Sequence, residues 1–277
     1  MSAQDLWNED LAWQAQRGFE LGNTLCACDG FYHALWGSLR LAGLNNTMKG
    51  EAPILASLLA PYLRDNARVM IGGSADPGVL CGIGRIYSPH MPAFTVIDKC
   101  RAPLALIREF AAARGLACRS LKRDLLELDG SETWDQIVLH YTPDFIEPRL
   151  RGPLFRSLAA SLAPGGILVC AAMTGASIPF EKRPEMEAAF FTRAIAALKE
   201  TPMADLARTP AFEQQLHSYT AGRTLRRLTL PTTDDICEFL HDSGLQVVDK
   251  HATSRARRLL VGMEVVDTSS IIIASAG

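Results

Sequence analysis

The feature that most constrains this sequence is a strand ending in small residues, followed by a second strand ending on a carboxylate. The apolar residues 69–71 run into Gly72-Gly73-Ser74, and the apolar residues 94–97 run into Asp98. Small residues after a strand let backbone amides approach a ligand, and the next helix points its positive N-terminal dipole at the same place. A carboxylate at the tip of the neighbouring strand is suited to bind both hydroxyls of a ribose. The segment therefore predicts half of a nucleoside-binding site.

A regular alternation of strands and helices surrounds this segment. The predicted strands cover residues 69–72, 94–97, 117–120, 136–140, 167–173, 245–249 and 270–275, and the helices between them cover residues 78–87, 102–114, 150–162 and 234–242. Helical crossovers between parallel strands are right-handed, so the loops at the carboxyl ends of the strands converge on one crevice. The expected fold is α/β, a doubly wound, mostly parallel seven-stranded sheet with an antiparallel edge strand.

Helical patterns flank the alternation on one side and interrupt it once. Residues 5–22 and much of 30–63 carry apolar side chains at three- to four-residue spacing, which is typical of amphipathic helices. We therefore expect residues 1–66 to form a helical N-terminal cap and residues 67–277 to form the sheet domain. Two further helices, 184–200 and 209–221, are predicted in an insert at about 175–231, after the fifth strand. The insert is expected to act as a lid.

Composition narrows the class of protein. The 277 residues are 48% hydrophobic and 21% charged, a balance typical of a soluble enzyme. No apolar run approaches the ~18 residues of a membrane span, and the polar N-terminus does not resemble a signal peptide. A formal net charge of −2 argues against a nucleic-acid partner, whose many phosphates require cationic residues. These features predict a cytoplasmic protein that binds neither membrane nor nucleic acid.

The cysteines are scattered and odd in number. There are seven, and several lie in apolar surroundings, so reduced thiols are expected instead of disulfides. Cys26-Ala27-Cys28 is a close pair, but no second cysteine pair follows at the spacing of a zinc finger. The sequence therefore predicts no metal site.

With these residues in view, the order of parts resembles a class I S-adenosylmethionine-dependent methyltransferase, with a degenerate glycine-rich first motif. The resemblance covers roughly residues 68–173 and 232–277. Gly72-Gly73-Ser74-Ala75-Asp76 matches the first motif, Asp98 the acidic residue after the second strand, and Asp124 the residue that receives the adenine amino group. Residues 134–140 and 162–168 match the fourth motif and the turn before the fifth strand.

The resemblance implies S-adenosyl-L-methionine as the cofactor. One position departs from the family, because Met70 stands where the first strand usually carries a carboxylate for the methionine end of the cofactor. Asp76 is one candidate to replace it, and the N-terminal cap is another. The cofactor-binding residues that the resemblance implies are Gly72, Gly73, Ser74, Asp76, Asp98, Lys99, Asp124, Leu125 and His140.

Methyl transfer requires alignment of acceptor, methyl group and sulfur away from water, and an acceptor that starts protonated also needs a base. The resemblance places the loop after the fourth strand beside the methyl group, so His140 is the candidate base and Tyr141 the second catalytic candidate. Tyr32, His33, Phe190 and Tyr219 are the candidate substrate-binding residues, in an apolar pocket formed by the cap and the insert. The predicted reaction is O- or N-methylation of a small molecule. The oligomeric state stays open, with a homodimer as one option because helical N-terminal extensions often mediate dimers.

Two alternatives remain at this point. A nicotinamide-dependent oxidoreductase shares the strand–loop–helix and the ribose carboxylate. It is disfavoured because the glycines do not fall as G-x-G-x-x-G, and no tyrosine is followed four residues later by lysine. A non-catalytic relative that binds a partner is favoured by Met70 and by the depleted glycine pattern.

Overall fold

The computed structural model describes residues 5–28, 31–45, 47–88, 90–175, 183–221, 230, 232–258 and 264–276. Its helices are α1 (Leu11–Leu25), α2 (Tyr32–Leu41), α3 (Thr47–Leu59), α4 (Gly78–Tyr87), α5 (Arg101–Arg114), α6 (Pro148–Ala160), α7 (Arg183–Leu198), α8 (Ala204–Ala207), α9 (Pro210–Ala221) and α10 (Thr233–His241). Its strands are β1 (Arg68–Gly72), β2 (Ala93–Asp98), β3 (Cys118–Lys122), β4 (Trp134–His140), β5 (Leu162–Thr174), β6 (Leu245–Arg258) and β7 (Glu264–Ala276).

One seven-stranded sheet organises the chain, in the order β3-β2-β1-β4-β5-β7-β6. Strands β1 to β5 pair in parallel, whereas β7 is antiparallel to both β5 and β6. This confirms the predicted mostly parallel sheet with antiparallel pairing at its edge. The strand order reverses between β1 and β4, and open α/β sheets bind ligands at such a switch point.

Alternate side chains of the central strands face opposite apolar layers, as the two-residue period of a strand requires. Val69 and Ile71 of β1 pack on one face with residues of α3, α4 and α5. Met70 lies between them in sequence and packs on the other face with residues of α6 and α10. Helices therefore cover both faces of the sheet, and the core strands are buried on both sides.

A third apolar cluster joins a helix of the predicted cap to helices of the predicted insert. Leu35 and Leu39 of α2 pack with Phe190 of α7 and Phe212 of α9. The two parts thus share one helical layer, although the insert is only partly described, since residues 176–182, 222–229 and 231 lie outside the described ranges. The division into a cap at 1–66 and a sheet domain at 67–277 remains a prediction.

Several predicted element boundaries were wrong. The helix predicted for residues 5–22 begins at Leu11, because the Asp10 carboxylate accepts a hydrogen bond from the Trp13 N–H (3.0 Å) and so caps α1. The helix predicted at 150–162 begins at Pro148, and β5 already begins at Leu162. Strand β6 has 14 residues and β7 has 13, so both are more than twice as long as predicted. Among the described helices, none is long and apolar enough to cross a membrane.

Candidate functional site

A cavity of about 1060 Å³ opens at the carboxyl ends of the parallel strands. The turn after β1 and the ends of β2, β3 and β4 contribute to it, and residues of α2 form part of its wall. The predicted site residues that line it are Tyr32, His33, Gly73, Ser74, Asp76, Asp98, Lys99, Asp124, Leu125, His140 and Tyr141. Residues predicted from separate parts of the sequence are thus brought to one place.

The turn after β1 leaves no room for larger side chains. Gly73 has φ +72°, and a Cβ there would lie 2.7 Å from the Thr142 side chain. The Thr142 hydroxyl donates a hydrogen bond to the Gly72 carbonyl (2.6 Å) and so fixes the turn to the loop after β4. Gly72 itself is buried beneath the cavity, against Leu139, and does not line it.

Asp98 occupies the tip of β2 with both carboxylate oxygens oriented by the backbone. One oxygen accepts the Ser74 N–H (3.1 Å) and the other accepts the Cys100 N–H (2.7 Å). Burial raises the pKa of Asp98, although the two N–H groups and nearby His33 act in the opposite direction. Each carboxylate oxygen retains a lone pair, so the group can accept further hydrogen bonds from a ligand in the cavity.

The next strand end supplies Asp124 and Leu125. Asp124 accepts a hydrogen bond from the Leu126 N–H (3.0 Å), which caps a short 3₁₀ turn and fixes the carboxylate. Leu125 is buried and forms an apolar surface beneath the cavity. Lys99 is exposed at the rim beside Asp98. A carboxylate next to an apolar surface suits a ring that carries an amino group.

A buried ion pair connects the cap to the turn after β1. Arg40 of α2 donates to the Asp76 carboxylate (2.6 Å) and also to Glu9, and its side chain is 7% exposed. The other Asp76 oxygen accepts the Gly78 N–H (2.8 Å) at the start of α4. Asp76 therefore lines the cavity with both oxygens engaged, while Met70 is fully buried in the core.

The end of β4 meets a carboxylate that sequence reasoning missed. His140 Nε2 lies 2.9 Å from Oε2 of Glu51, a residue of α3, and the Tyr141 hydroxyl donates to the other oxygen of Glu51. Tyr141 has φ +62°, and burial together with Glu51 raises the pKa of its phenol. The phenol is therefore a hydrogen-bond donor and is unsuited to act as a base. Glu51 gave no signal in the sequence, because it lies in a helix 89 residues before His140.

The aromatic residues of the predicted cap and insert lie in two layers. The Tyr32 ring lines the cavity and lies edge-on to Phe145, with centroids 5.5 Å apart. Tyr219 stacks behind it at 6.2 Å, and Phe190 is 5% exposed in the same apolar cluster. The structure therefore brings Tyr32 into the cavity but places Phe190 and Tyr219 behind its wall, because their large apolar rings pack the helices together.

His33 and Cys100 form the wall nearest Asp98. Hydrogen bonds from the Cys28 thiol and from His33 lower the pKa of Cys100 to about 3, against the opposing effect of burial. Burial lowers the pKa of His33, but hydrogen bonds with Cys100 and Cys26 outweigh it and raise that pKa to about 9. The contact between Cys100 and His33 thus acts on both groups, lowering the pKa of the thiol and raising that of the imidazole.

Comparison with known proteins places this geometry in context. No family model matches the sequence. The chain is 29% identical over 121 residues to carboxy-S-adenosyl-L-methionine synthase of Desulfotalea psychrophila, across 43% of this chain and 49% of that protein. The match therefore spans about half of the relative's length.

Solved structures match over most of the chain. A SAM-dependent methyltransferase from Methanosarcina mazei superposes with a TM-score of 0.51 at 16% identity, covering 79% of this chain and 96% of that one. A candidate methyltransferase from Bacillus halodurans superposes with a TM-score of 0.56 at 12% identity, covering 82% and 99%. Together with the strand order, the turn after β1 and Asp98 after β2, these likenesses show that the chain has the Rossmann-like fold of class I S-adenosylmethionine-dependent methyltransferases.

Proposed function

We propose that this protein transfers a methyl group from S-adenosylmethionine to a small-molecule acceptor. The observation that carries the proposal is Asp98, whose carboxylate is oriented by two backbone N–H groups at the switch point of the sheet. A small acceptor is favoured by the cavity, which helices of the cap enclose and aromatic side chains line.

The residues present fit the cofactor in three places. Asp98 would bind the ribose hydroxyls, Asp124 would receive the adenine amino group, and Leu125 would contact the adenine ring. The methionine end is assigned to the Arg40–Asp76 ion pair, because Met70 is buried and no carboxylate replaces it on β1. When bound, S-adenosylmethionine supplies the methyl group on a sulfonium. The protein contributes alignment and exclusion of water.

A base is available for an acceptor that must lose a proton. In one tautomer of the neutral ring, His140 Nε2 carries the proton and donates a hydrogen bond to Glu51. The other ring nitrogen, Nδ1, then has a free lone pair and can accept a proton from the acceptor molecule. Glu51 then fixes the tautomer and stabilises the imidazolium that forms, as a carboxylate does in a catalytic triad. His140 is the proposed base, Glu51 its positioning residue and Tyr141 a donor that holds Glu51 in place.

Calorimetric titration tests the cofactor assignment. We expect S-adenosylhomocysteine and S-adenosylmethionine to bind with a stoichiometry of about one and NADH not to bind, since the glycine turn lacks the dinucleotide spacing. Binding of NADH alone would favour the oxidoreductase alternative. Failure of all three ligands to bind would favour the non-catalytic relative.

Turnover tests the proposed base, once an acceptor has been found by screening small acids, phenols and amines for release of S-adenosylhomocysteine. His140→Asn is expected to lower kcat by about 10²-fold while leaving cofactor affinity unchanged, because general-base catalysis contributes 10²- to 10⁴-fold. Glu51→Gln is expected to lower kcat less, because the amide can still accept a hydrogen bond from the His140 ring but carries no charge to stabilise the imidazolium. Unchanged turnover in His140→Asn would remove this residue from the mechanism.

The curated relative raises a second candidate function. Its name says that it synthesises a carboxylated form of S-adenosylmethionine, so the cofactor itself would be the molecule changed. Mass spectrometry of the nucleoside products separates the two functions. S-adenosylhomocysteine indicates methyl transfer, whereas a heavier S-adenosylmethionine derivative indicates modification of the cofactor.

A further inference from the structure

Four metal-ligating side chains meet beside the nucleoside end of the cavity. Cys26 and Cys28 come from the loop after α1, His33 from the first turn of α2, and Cys100 from the junction of β2 and α5. Their sulfur and ring-nitrogen atoms all lie within 4.8 Å of one another. Cys26 Sγ lies 3.2 Å from His33 Nδ1 and 3.5 Å from Cys100 Sγ.

These distances are close to those of a tetrahedral zinc site. With Zn–S bonds of about 2.3 Å and Zn–N bonds of about 2.0 to 2.1 Å, tetrahedral geometry separates neighbouring ligand atoms by roughly 3.5 to 3.8 Å. The two measured edges lie at or slightly below this range, so these two edges need to lengthen by only a few tenths of an ångström around a central cation, and all four ligand atoms lie within 4.8 Å of one another. We propose that Cys26, Cys28, His33 and Cys100 bind one zinc ion.

The ligand set selects the metal and its role. Three sulfurs and one imidazole suit zinc, whereas magnesium and calcium prefer oxygen ligands. Four protein ligands leave no position for water, which is the pattern of structural and not of catalytic zinc. Zinc binds the cysteines as thiolates and the imidazole in its neutral form, so any protons that these four groups carry are released to the solvent on binding. The Cys28 N–H already donates to Cys26 Sγ (3.3 Å), an outer hydrogen bond of the kind that orients metal ligands.

The ion would join three elements that adjoin the cavity. Cys28, His33 and Cys100 all line the cavity, and Cys100 follows Asp98 by two residues. A metal at this point fixes the α1–α2 loop to the end of β2, and thereby fixes Tyr32 and His33 over the ligand site. The zinc is therefore assigned a structural role: it would hold together the part of the cavity wall next to Asp98, the proposed ribose ligand.

Zinc content of the full-length protein, purified in the presence of a thiol reductant, tests the proposal. We expect about one zinc per chain, and a fall below about 0.2 per chain in Cys26→Ser, His33→Asn and Cys100→Ser, because each variant removes one of four ligands. Cys237→Ser and Cys118→Ser are matched controls, since both thiols are half-buried and lie outside the cluster. Both controls should retain about one zinc.

Cobalt substitution of the wild-type protein keeps the test independent of whether the variants fold. Co²⁺ should give the intense visible bands of a tetrahedral site together with thiolate-to-cobalt charge transfer, and an equivalent of zinc should abolish both. Fewer than about 0.1 zinc per reduced chain after incubation with equimolar zinc would overturn the proposal. A disulfide between Cys26 and Cys100 in freshly purified protein, or equal loss of zinc in the controls, would overturn it as well.

Discussion

At the scale of single residues, the site depends on buried charges that come from different parts of the chain. The Arg40 guanidinium lies between Asp76 and Glu9, and all three side chains are largely shielded from water. A buried pair of this kind contributes little when intact, but removal of one member leaves an uncompensated charge. Arg40 therefore connects the cap helices to the turn after β1 through these two ion pairs.

Substitution of this arginine should destabilise the fold strongly. Arg40→Met is expected to lower the free energy of unfolding by about 3 to 5 kcal/mol, because two carboxylates are left without their cation. Arg17→Met is the control, since Arg17 pairs with Glu109 and Glu20 at the surface and should cost under about 1 kcal/mol. Urea denaturation of both variants measures the difference. An equal decrease in the free energy of unfolding for both variants would contradict the structural role assigned to Arg40.

Tyr141 is predicted to stabilise the site without titrating in it. Because burial and Glu51 raise the pKa of the phenol above its ordinary value of 10, the group stays protonated throughout the range of an activity assay. Tyr141→Phe should therefore leave the alkaline limb of the pH–rate profile in place and cost about 1.5 to 3 kcal/mol of stability for the lost bond to a carboxylate. An alkaline limb that disappears in this variant would contradict the prediction.

Most of the site residues found from the sequence lie near strand ends, whereas those that were missed lie on helices that pack against the sheet. Ser74, Asp98 and Asp124 follow strands directly, so a local pattern is enough to place them at one edge of the sheet. Glu51 and Arg40 reach the site from cap helices, whose packing on the sheet no local pattern specifies. The cluster of Cys26, Cys28, His33 and Cys100 shows the same limit, because the fold brings Cys100 to Cys26 from 74 residues away. The expectation of no metal site, which rested on the missing second cysteine pair, stays a prediction.

At the scale of elements, the backbones of α1 and α2 pack closely against each other. A Cβ on Gly22 would lie 2.3 Å from the backbone of Ala34, so the two helices approach through this glycine. A Cβ on Gly18, one turn earlier in α1, would meet only the Leu106 side chain at 3.5 Å, an ordinary contact. The two positions therefore form a matched pair on one helix.

Alanine at these two glycines should have opposite effects. Gly22→Ala is expected to destabilise the protein by about 1 to 3 kcal/mol, because the overlap with backbone forces α2 to move. Gly18→Ala is expected to be neutral or to stabilise by up to about 1 kcal/mol, because alanine is the better helix former. Thermal denaturation of the two variants compares them directly. A neutral Gly22→Ala would show that the helices do not cross as described.

Element types were predictable where a local signal was strong. The predicted helix at 102–114 ends at Gly115, whose φ of +64° suits glycine, and the helix predicted at 234–242 begins with a reciprocal cap between Thr232 and Asp235. The lengths of β6 and β7 were underestimated. Their outer halves contain polar and charged residues, and they pair mainly with each other, a relationship that hydrophobic alternation does not reveal.

At the scale of the whole molecule, the strand–helix alternation of the sequence was enough to predict the mostly parallel sheet. The helical layer formed by α2, α7 and α9 packs behind Tyr32, which lines the cavity. Ligand binding should therefore raise the free energy of unfolding of the whole domain. A ligand at 100 times its Kd stabilises the folded state by about 2.7 kcal/mol, which a thermal shift with S-adenosylhomocysteine would detect.

The central claim is that an adenosyl ligand lies across the ends of β1 and β2 with its ribose on Asp98. Calorimetric titration of S-adenosylhomocysteine into the wild type, Asp98→Asn and the exposed-site control Asp129→Asn tests it most directly. Loss of a charged acceptor for two hydroxyls should weaken binding to Asp98→Asn by about 10- to 100-fold, while Asp129→Asn should bind as the wild type does. A folded Asp98→Asn that binds with wild-type affinity would contradict the account.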